Sequence, residues 1–143
     1  MGDWTLRPAT AADADAIAEL RAVVMRPDLE RLGRYDEHRV RQRLRDRFVP
    51  GHNRVIEVGG DFAGSVALTP AEDGHWLENF YLHPSLQGRG IGSAVLEQVL
   101  SQCDSPVRLQ VLQGSPARRL YERHGFTAYA EDAVDVWMVR EPR

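Results

Sequence analysis

Apolar residues recur along this chain in two rhythms, and the switches between them mark its elements. Trp4 to Arg7 reads as a short strand. From Ala11 to about Val24 the positions Ala14, Ile17, Ala18, Leu20 or Arg21, and Val24 follow helical spacing, with Thr10 placed to cap the start and Pro27 to interrupt the run. A second helix is predicted over Asp36 to Phe48, because Val40, Leu44 and Phe48 stand four apart while Arg39, Arg41, Arg43, Arg45 and Arg47 occupy the other sides. Two β-rich runs, Arg54 to Val58 and Phe62 to Leu68, flank Gly59, Gly60 and Asp61 and form a hairpin. A strand follows over His75 to Leu82 and ends before Pro84, which has no N–H for a ladder. Ile91, Val95 and Val99, with Leu96, Leu100 and Cys103 beside them, make a broad apolar helix face. Val107 to Leu112 is rich in Val and Leu, as a buried strand is. Ser115 caps a further helix with Pro116 at its first position, and Gly125 closes it. Strands near Thr127 to Ala130 and Val134 to Val139 finish the chain.

The turn between the strand ending at Leu82 and the helix beginning near Gly90 carries the chemistry. It reads Gln87, Gly88, Arg89, Gly90, Ile91, Gly92. Small residues let the backbone approach a ligand, and the unpaired N–H groups of a first helical turn attract negative charge, so the segment suits phosphate groups. Arg89 adds a cation. A dinucleotide-binding turn needs a third Gly where Ser93 stands, and a nucleoside-triphosphate loop needs a lysine, of which the chain has none.

The pattern Gln-x-x-Gly-x-Gly between strand and helix resembles the GNAT superfamily of acyl-CoA-dependent N-acyltransferases. The likeness continues through Val107 to Phe126, where a strand, a small polar residue and a helix reading Ala117 to Phe126 look like the family's second cofactor-binding segment. Leu6, Arg7, Pro8, Ala9, Thr10 and the Ala/Asp-rich helix after them look like the family's start. The resemblance implies a mixed α/β domain over residues 1–143, with a mostly antiparallel central sheet and helices on both faces. It also implies that the two central parallel strands, His75 to Leu82 and Val107 to Leu112, splay apart to admit acetyl-CoA.

By that resemblance, backbone N–H groups from Gln87 through Gly88, Arg89, Gly90, Ile91, Gly92 and Ser93 hold the pyrophosphate. The main chain at Tyr81 and Leu82 pairs with the pantetheine arm, and the Leu82 N–H meets the thioester carbonyl. Tyr121 matches the family's general acid, and its ordinary pKa of about 10 keeps it protonated at neutral pH. Glu78 is the candidate base, acting directly or through a water. Its neighbours in the strand are apolar and aromatic, so desolvation is expected to raise its pKa, and strand alternation puts it on the face of Phe80 and Leu82. His83 is a reserve base. The resemblance makes Ser115 a further cofactor-binding candidate; it replaces the asparagine common at that point in the family and, being shorter, has a helix cap as its alternative role. The acceptor pocket of the family lies along the connection between the first two helices, here Met25 to Asp36, where Arg31, Arg34 and Tyr35 are candidate lining groups and an Arg could hold a substrate carboxylate.

Composition narrows this reading without redirecting it. At 143 residues one domain is expected, and with Cys103 the only cysteine no internal disulfide forms, which points to the cytoplasm. A net charge of −3 argues against nucleic-acid binding, and no apolar run is long enough for a membrane span. All 18 basic residues other than histidine are arginine, which removes Schiff-base chemistry. The five histidines are scattered without an i, i+4 pair, so no metal site is expected. The expected partners are a small-molecule or peptide amine and a second copy of the chain. The alternatives are a CoA-binding regulatory module without turnover and an acetyltransferase of protein N-termini.

Overall fold

The computed structural model describes residues 3–142. Seven strands form one sheet: β1 (Trp4–Pro8), β2 (Asn53–Val58), β3 (Asp61–Ala71), β4 (Gly74–Leu82), β5 (Val107–Leu112), β6 (Thr127–Glu131) and β7 (Asp135–Arg140). Four helices cover it: α1 (Ala14–Arg31), α2 (Glu37–Arg47), α3 (Ile91–Ser101) and α4 (Ala117–Arg123). The spatial order is β1-β2-β3-β4-β5-β7-β6, so the last strand enters between β5 and β6. Every neighbouring pair is antiparallel except β4 with β5. This is the mixed, mostly antiparallel sheet expected of a GNAT-like fold.

Apolar side chains make two cores, one per face. Against α3 and α4 lie Ile56, Val66, Leu77 and Leu82 with Val95, Leu96, Val99, Tyr121 and Phe126. Against α1 and α2 lie Ala9, Val55 and Tyr81 with Ile17, Ala18, Leu44 and Phe48. Fully burying one such aliphatic or aromatic side chain contributes roughly 1.5–3 kcal/mol, so both faces hold their helices firmly.

The first helix departs from its sequence expectation. It runs through Pro27 and ends at Arg31. Val23 and Pro27 are both exposed, so the carbonyl that loses its partner to proline's missing N–H faces solvent and the helix continues. Its end is a Schellman turn, with Gly33 N–H on the Glu30 carbonyl and Arg34 N–H on that of Leu29. Thr10 opens a short 3-10 turn rather than α1 itself, and its N–H donates to the Asp13 carboxylate at 2.7 Å. Arg7 grips the same carboxylate and holds its pKa down at about 2.

A bulge in β4 decides what the site contains. Ser65 stands opposite Tyr81 and Ala67 opposite Glu78, so two steps along β3 match three along β4. The extra residue centres on Asn79, whose φ of 50° is tolerated by asparagine. Buried polar groups pin it: Ser65 Oγ donates to the Asn79 carbonyl at 2.6 Å, Asn79 Nδ2 to Asn53 Oδ1 at 3.1 Å, and Asn53 Nδ2 to the Val49 carbonyl at 2.8 Å. Because of the bulge, Leu77 and Leu82 both face α3 although five residues apart.

Candidate functional site

The parallel pairing of β4 with β5 is confined to His75 opposite Val107 and Trp76 opposite Arg108. Beyond Trp76 the strands separate, while β5 stays paired with β7 along all six of its residues. His83 N–H donates to the Ala63 carbonyl at 2.8 Å, which makes Leu82 the alternate position whose N–H and C=O turn away from β3 toward the gap. Gln87 Nε2 donates to that Leu82 carbonyl at 2.9 Å, leaving the N–H for another partner.

The chain then makes a tight turn at Pro84–Leu86, closed by His83 Nδ1 accepting the Ser85 N–H at 3.1 Å. Gly88 and Gly90 take φ values of 78° and 83°, a region closed to most side chains. The left-handed Gly90 precedes α3, whose first helical bond is Ala94 N–H to the Gly90 carbonyl. Consequently the N–H groups of Gly88, Arg89, Gly90, Ile91, Gly92 and Ser93 have no acceptor among the described residues. No protein atom lies within 4 Å of where a Cβ at Gly88 or Gly90 would sit. A run of N–H donors beside open space, at the positive end of a helix dipole, has the chemistry that suits an anionic group such as phosphate.

Tyr121 stands on α4 and packs against the sheet. Its ring packs between Phe80, with centroids 6.4 Å apart, and Phe126, at 5.8 Å. Burial pushes its phenol pKa up, assisted by the Tyr81 phenol nearby. The hydroxyl has no hydrogen-bond partner among the described residues yet is not sealed from solvent. The phenol therefore stays protonated at neutral pH.

On the opposite face of β4, Tyr81 meets α1. Its hydroxyl accepts from Arg21 Nε at 3.1 Å and approaches Met25 Sδ at 3.9 Å. Burial raises this phenol's pKa, and the Arg21 charge opposes the rise. Glu78 shares the face of Tyr81, not that of Phe80 and Leu82, because the bulge inverts the alternation between them. It is exposed rather than desolvated and accepts from Thr69 Oγ1 at 2.6 Å. Both expectations for Glu78 drawn from regular alternation and apolar neighbours are corrected by that one inserted residue.

Other sequence candidates are engaged elsewhere. Ser115 Oγ accepts the Ala117 N–H at 3.2 Å, the capping role its length allows. Arg31 pairs with Asp28 at 2.6 Å and donates to the Gln113 carbonyl, tying the end of α1 to the turn after β5. Arg34 lies close enough to Asp132 to help lower its pKa, behind the backbone N–H groups of Asp135 and Val134. Tyr35 lies under the Arg26 guanidinium, 4.7 Å from the ring centroid. Arg21, a cation four residues after Ile17 on a buried stripe, is placed against Tyr81 by the structure although the sequence candidates do not include it.

A cradle for a diphosphate beside a gap between parting strands fits coenzyme A on both counts. Comparison with known proteins agrees. In fold, the chain is similar to the PaiA N-acetyltransferase of Thermoplasma acidophilum, solved in complex with coenzyme A, with a TM-score of 0.75, 17% identity, and coverage of 97% of this chain and 99% of that one. It is also similar to the ribosomal-protein-S18-alanine N-acetyltransferase of Escherichia coli, with a TM-score of 0.73, 18% identity, and coverage of 98% and 94%. Ard1 of Thermoplasma volcanium gives a TM-score of 0.71 at 21% identity, with coverage of 98% of both chains. No curated protein sequence matches the chain. No helix among the described residues is long and apolar enough to cross a membrane. The acetyltransferase (GNAT) domain family matches residues 50–128, more than half of the chain and the whole stretch from the bulged strand to the last turn of the site, and the chain belongs to this family of acetyl-CoA-using acetyltransferases.

Proposed function

We propose that this chain, acting as a single domain, transfers acetyl from acetyl-CoA to a primary amine of a small molecule or peptide, by direct attack within a ternary complex. The observation that carries the reading is the run of six unpaired N–H groups from Gly88 to Ser93 beside the opening between β4 and β5. When bound, acetyl-CoA supplies an acetyl group activated as a thioester, whose C–S bond breaks as the C–N bond to the amine forms.

The protein's own groups divide the remaining work. The Gly88–Ser93 donors hold the diphosphate, and Arg89 adds charge at the rim. The free edge of β4 at Tyr81 and Leu82 receives the extended arm as an added strand. The Leu82 N–H donates to the carbonyl oxygen as negative charge develops there, a contribution of roughly 3 kcal/mol for one fixed donor. Glu78 takes the ammonium proton, directly or through a water, and the Tyr121 hydroxyl gives a proton to the departing sulfur. The single cysteine fits a reducing cytoplasm as the setting.

Isothermal calorimetry with acetyl-CoA and with free CoA tests the cradle. Saturable binding of both is expected, and absence of heat from folded protein would overturn the proposal. A thiol-release assay over an amine panel then tests transfer. Binding without turnover of any amine would favour the regulatory module instead.

A further inference from the structure

Arg21 is the one arginine wedged between α1, α2 and β4. Its Nε donates to the Tyr81 hydroxyl at 3.1 Å and its Nη1 to the Val40 carbonyl, both neutral acceptors. It forms no ion pair among the described residues, whereas Arg41 and Arg45, on the neighbouring helix, reach Glu19 and Asp15 across the α1–α2 seam. Nη2 has no hydrogen-bond partner there either, and it is not sealed from solvent.

A half-buried guanidinium held by two neutral acceptors lacks the carboxylate that ordinarily offsets the cost of taking such a charge from water. Such a cost persists where a ligand supplies the missing charge. The surroundings indicate which ligand. The Tyr81 phenol that Arg21 holds belongs to the residue before Leu82, whose N–H faces the gap between β4 and β5, and Glu78 shares that face of the strand with it. Arg21 therefore brings a cation to the face of β4 that carries Glu78 and Tyr81, near where the strand parts from β5.

We propose that Arg21 is the specificity determinant for the acceptor, receiving a carboxylate on the same molecule whose amine is acetylated. The acceptor class is thus an amino acid or short peptide carrying an acid within reach of its amine. This rests on the acetyl-transfer reading above and deepens it. Tyr81 acts as a positioning residue: its hydroxyl fixes the guanidinium so that Nη2 and the free Nη1 hydrogen present a fork, the geometry that suits a carboxylate. Arg31, the acceptor-binding candidate suggested by the sequence, has its donors occupied by Asp28 and Gln113.

The test is acetyl-CoA-dependent thiol release with matched acids and amides: glycine and glycinamide, L-alanine and L-alaninamide, β-alanine and its amide, L-glutamate and L-glutamine. At least one acid is expected to exceed its amide about tenfold or more in kcat/KM, mostly through KM. Arg21→Gln should bring that ratio near one, and Arg21→Lys should keep part of it, because a charge without the fork remains. A purely structural arginine would lower both members of a pair together and leave the ratio unmoved, and that result overturns the proposal. So does a wild-type ratio near one in every pair, or absence of turnover with every acid. Calorimetry with acetyl-CoA on the same preparations separates the two readings: retained binding with no acid preference removes only the role of Arg21, while absent binding removes acetyl transfer as well.

Discussion

After β4 the chain leaves six consecutive backbone N–H groups without an acceptor among the described residues, while after β5 almost nothing is left over. In the second turn, Gln113 N–H goes to the Val134 carbonyl at 2.8 Å and Ser115 N–H to that of Leu112 at 3.1 Å. Ser115 Oγ takes the Ala117 N–H, Gln113 Nε2 donates to Glu131 and Asp132, and Arg31 covers the Gln113 carbonyl. Both are strand-to-helix turns rich in small residues, and both contain a glycine at positive φ. Yet a Cβ at Gly90 would meet nothing within 4 Å, whereas one at Gly114 would lie 2.8 Å from Arg31 Nη2. Binding capacity thus follows from which backbone groups the fold leaves unsatisfied, not from glycine content. The first turn keeps its donors free, as the proposed ligand requires, and the second is closed by the protein's own groups at the start of α4.

The largest effect should come from the closed turn's cargo. Tyr121→Phe is expected to lower kcat about 10²–10⁴-fold while acetyl-CoA affinity stays within about a factor of two, measured by steady-state kinetics beside calorimetry. Unchanged kcat would reduce α4 to a packing element and leave the open turn as the only functional one.

Next comes a reciprocal pair of glycine variants. Gly90→Val forces a branched side chain into left-handed backbone, costing about 1–2 kcal/mol, and fills the space the donors face. Acetyl-CoA should bind about 10–100 times more weakly. Gly114→Ala should instead be read in stability, with Tm lower by about 2–8 °C and affinity unaltered, because its Cβ disturbs the Arg31 tether. Equal losses of affinity in both variants would break the distinction between the turns.

The smallest effect concerns how the open turn is braced. Ser93 Oγ lies 2.8 Å from His124 Nε2, joining the first turn of α3 to the end of α4. Burial lowers the His124 pKa below 6.5, and Arg123 and Arg140 lower it further while Glu97 opposes them. The folded state therefore disfavours protonation, and stability is lost as pH falls from about 6.5 through the lower folded-state value. His124→Gln should flatten that part of the Tm–pH curve by about a few degrees at most, and an unchanged slope would mean that another group sets it.

Much of the architecture was legible in the chain. The helical stripe at Ile91, Val95 and Val99, the Ser115–Pro116 start and the Gly-rich turn all act within a few residues, and each stands where its pattern placed it. The path of α1 was misread because proline was taken as a stop without regard to which side of the helix it occupied. Glu78 departs from its pattern because alternation assumes one residue per step, and β4 itself carries an extra residue opposite the Ser65–Ala67 stretch of β3. The partners of Arg21, the Val40 carbonyl and the Tyr81 hydroxyl, were not legible because they come from elements distant in sequence, even though its place on a buried stripe was.

Local order, then, was written in the sequence itself: the period of apolar positions, the capping residues and the glycines at positive φ specify elements and the phosphate-binding turn through interactions no longer than a helical turn. The divergence of β4 from β5, the bulge at Asn79, the insertion of β7 between β5 and β6, and the hydrogen bond that joins Arg21 to Tyr81 were decided only by tertiary structure. Strand pairing and helix packing choose among many locally acceptable arrangements, and that choice depends on contacts between residues tens of positions apart, which no local pattern encodes.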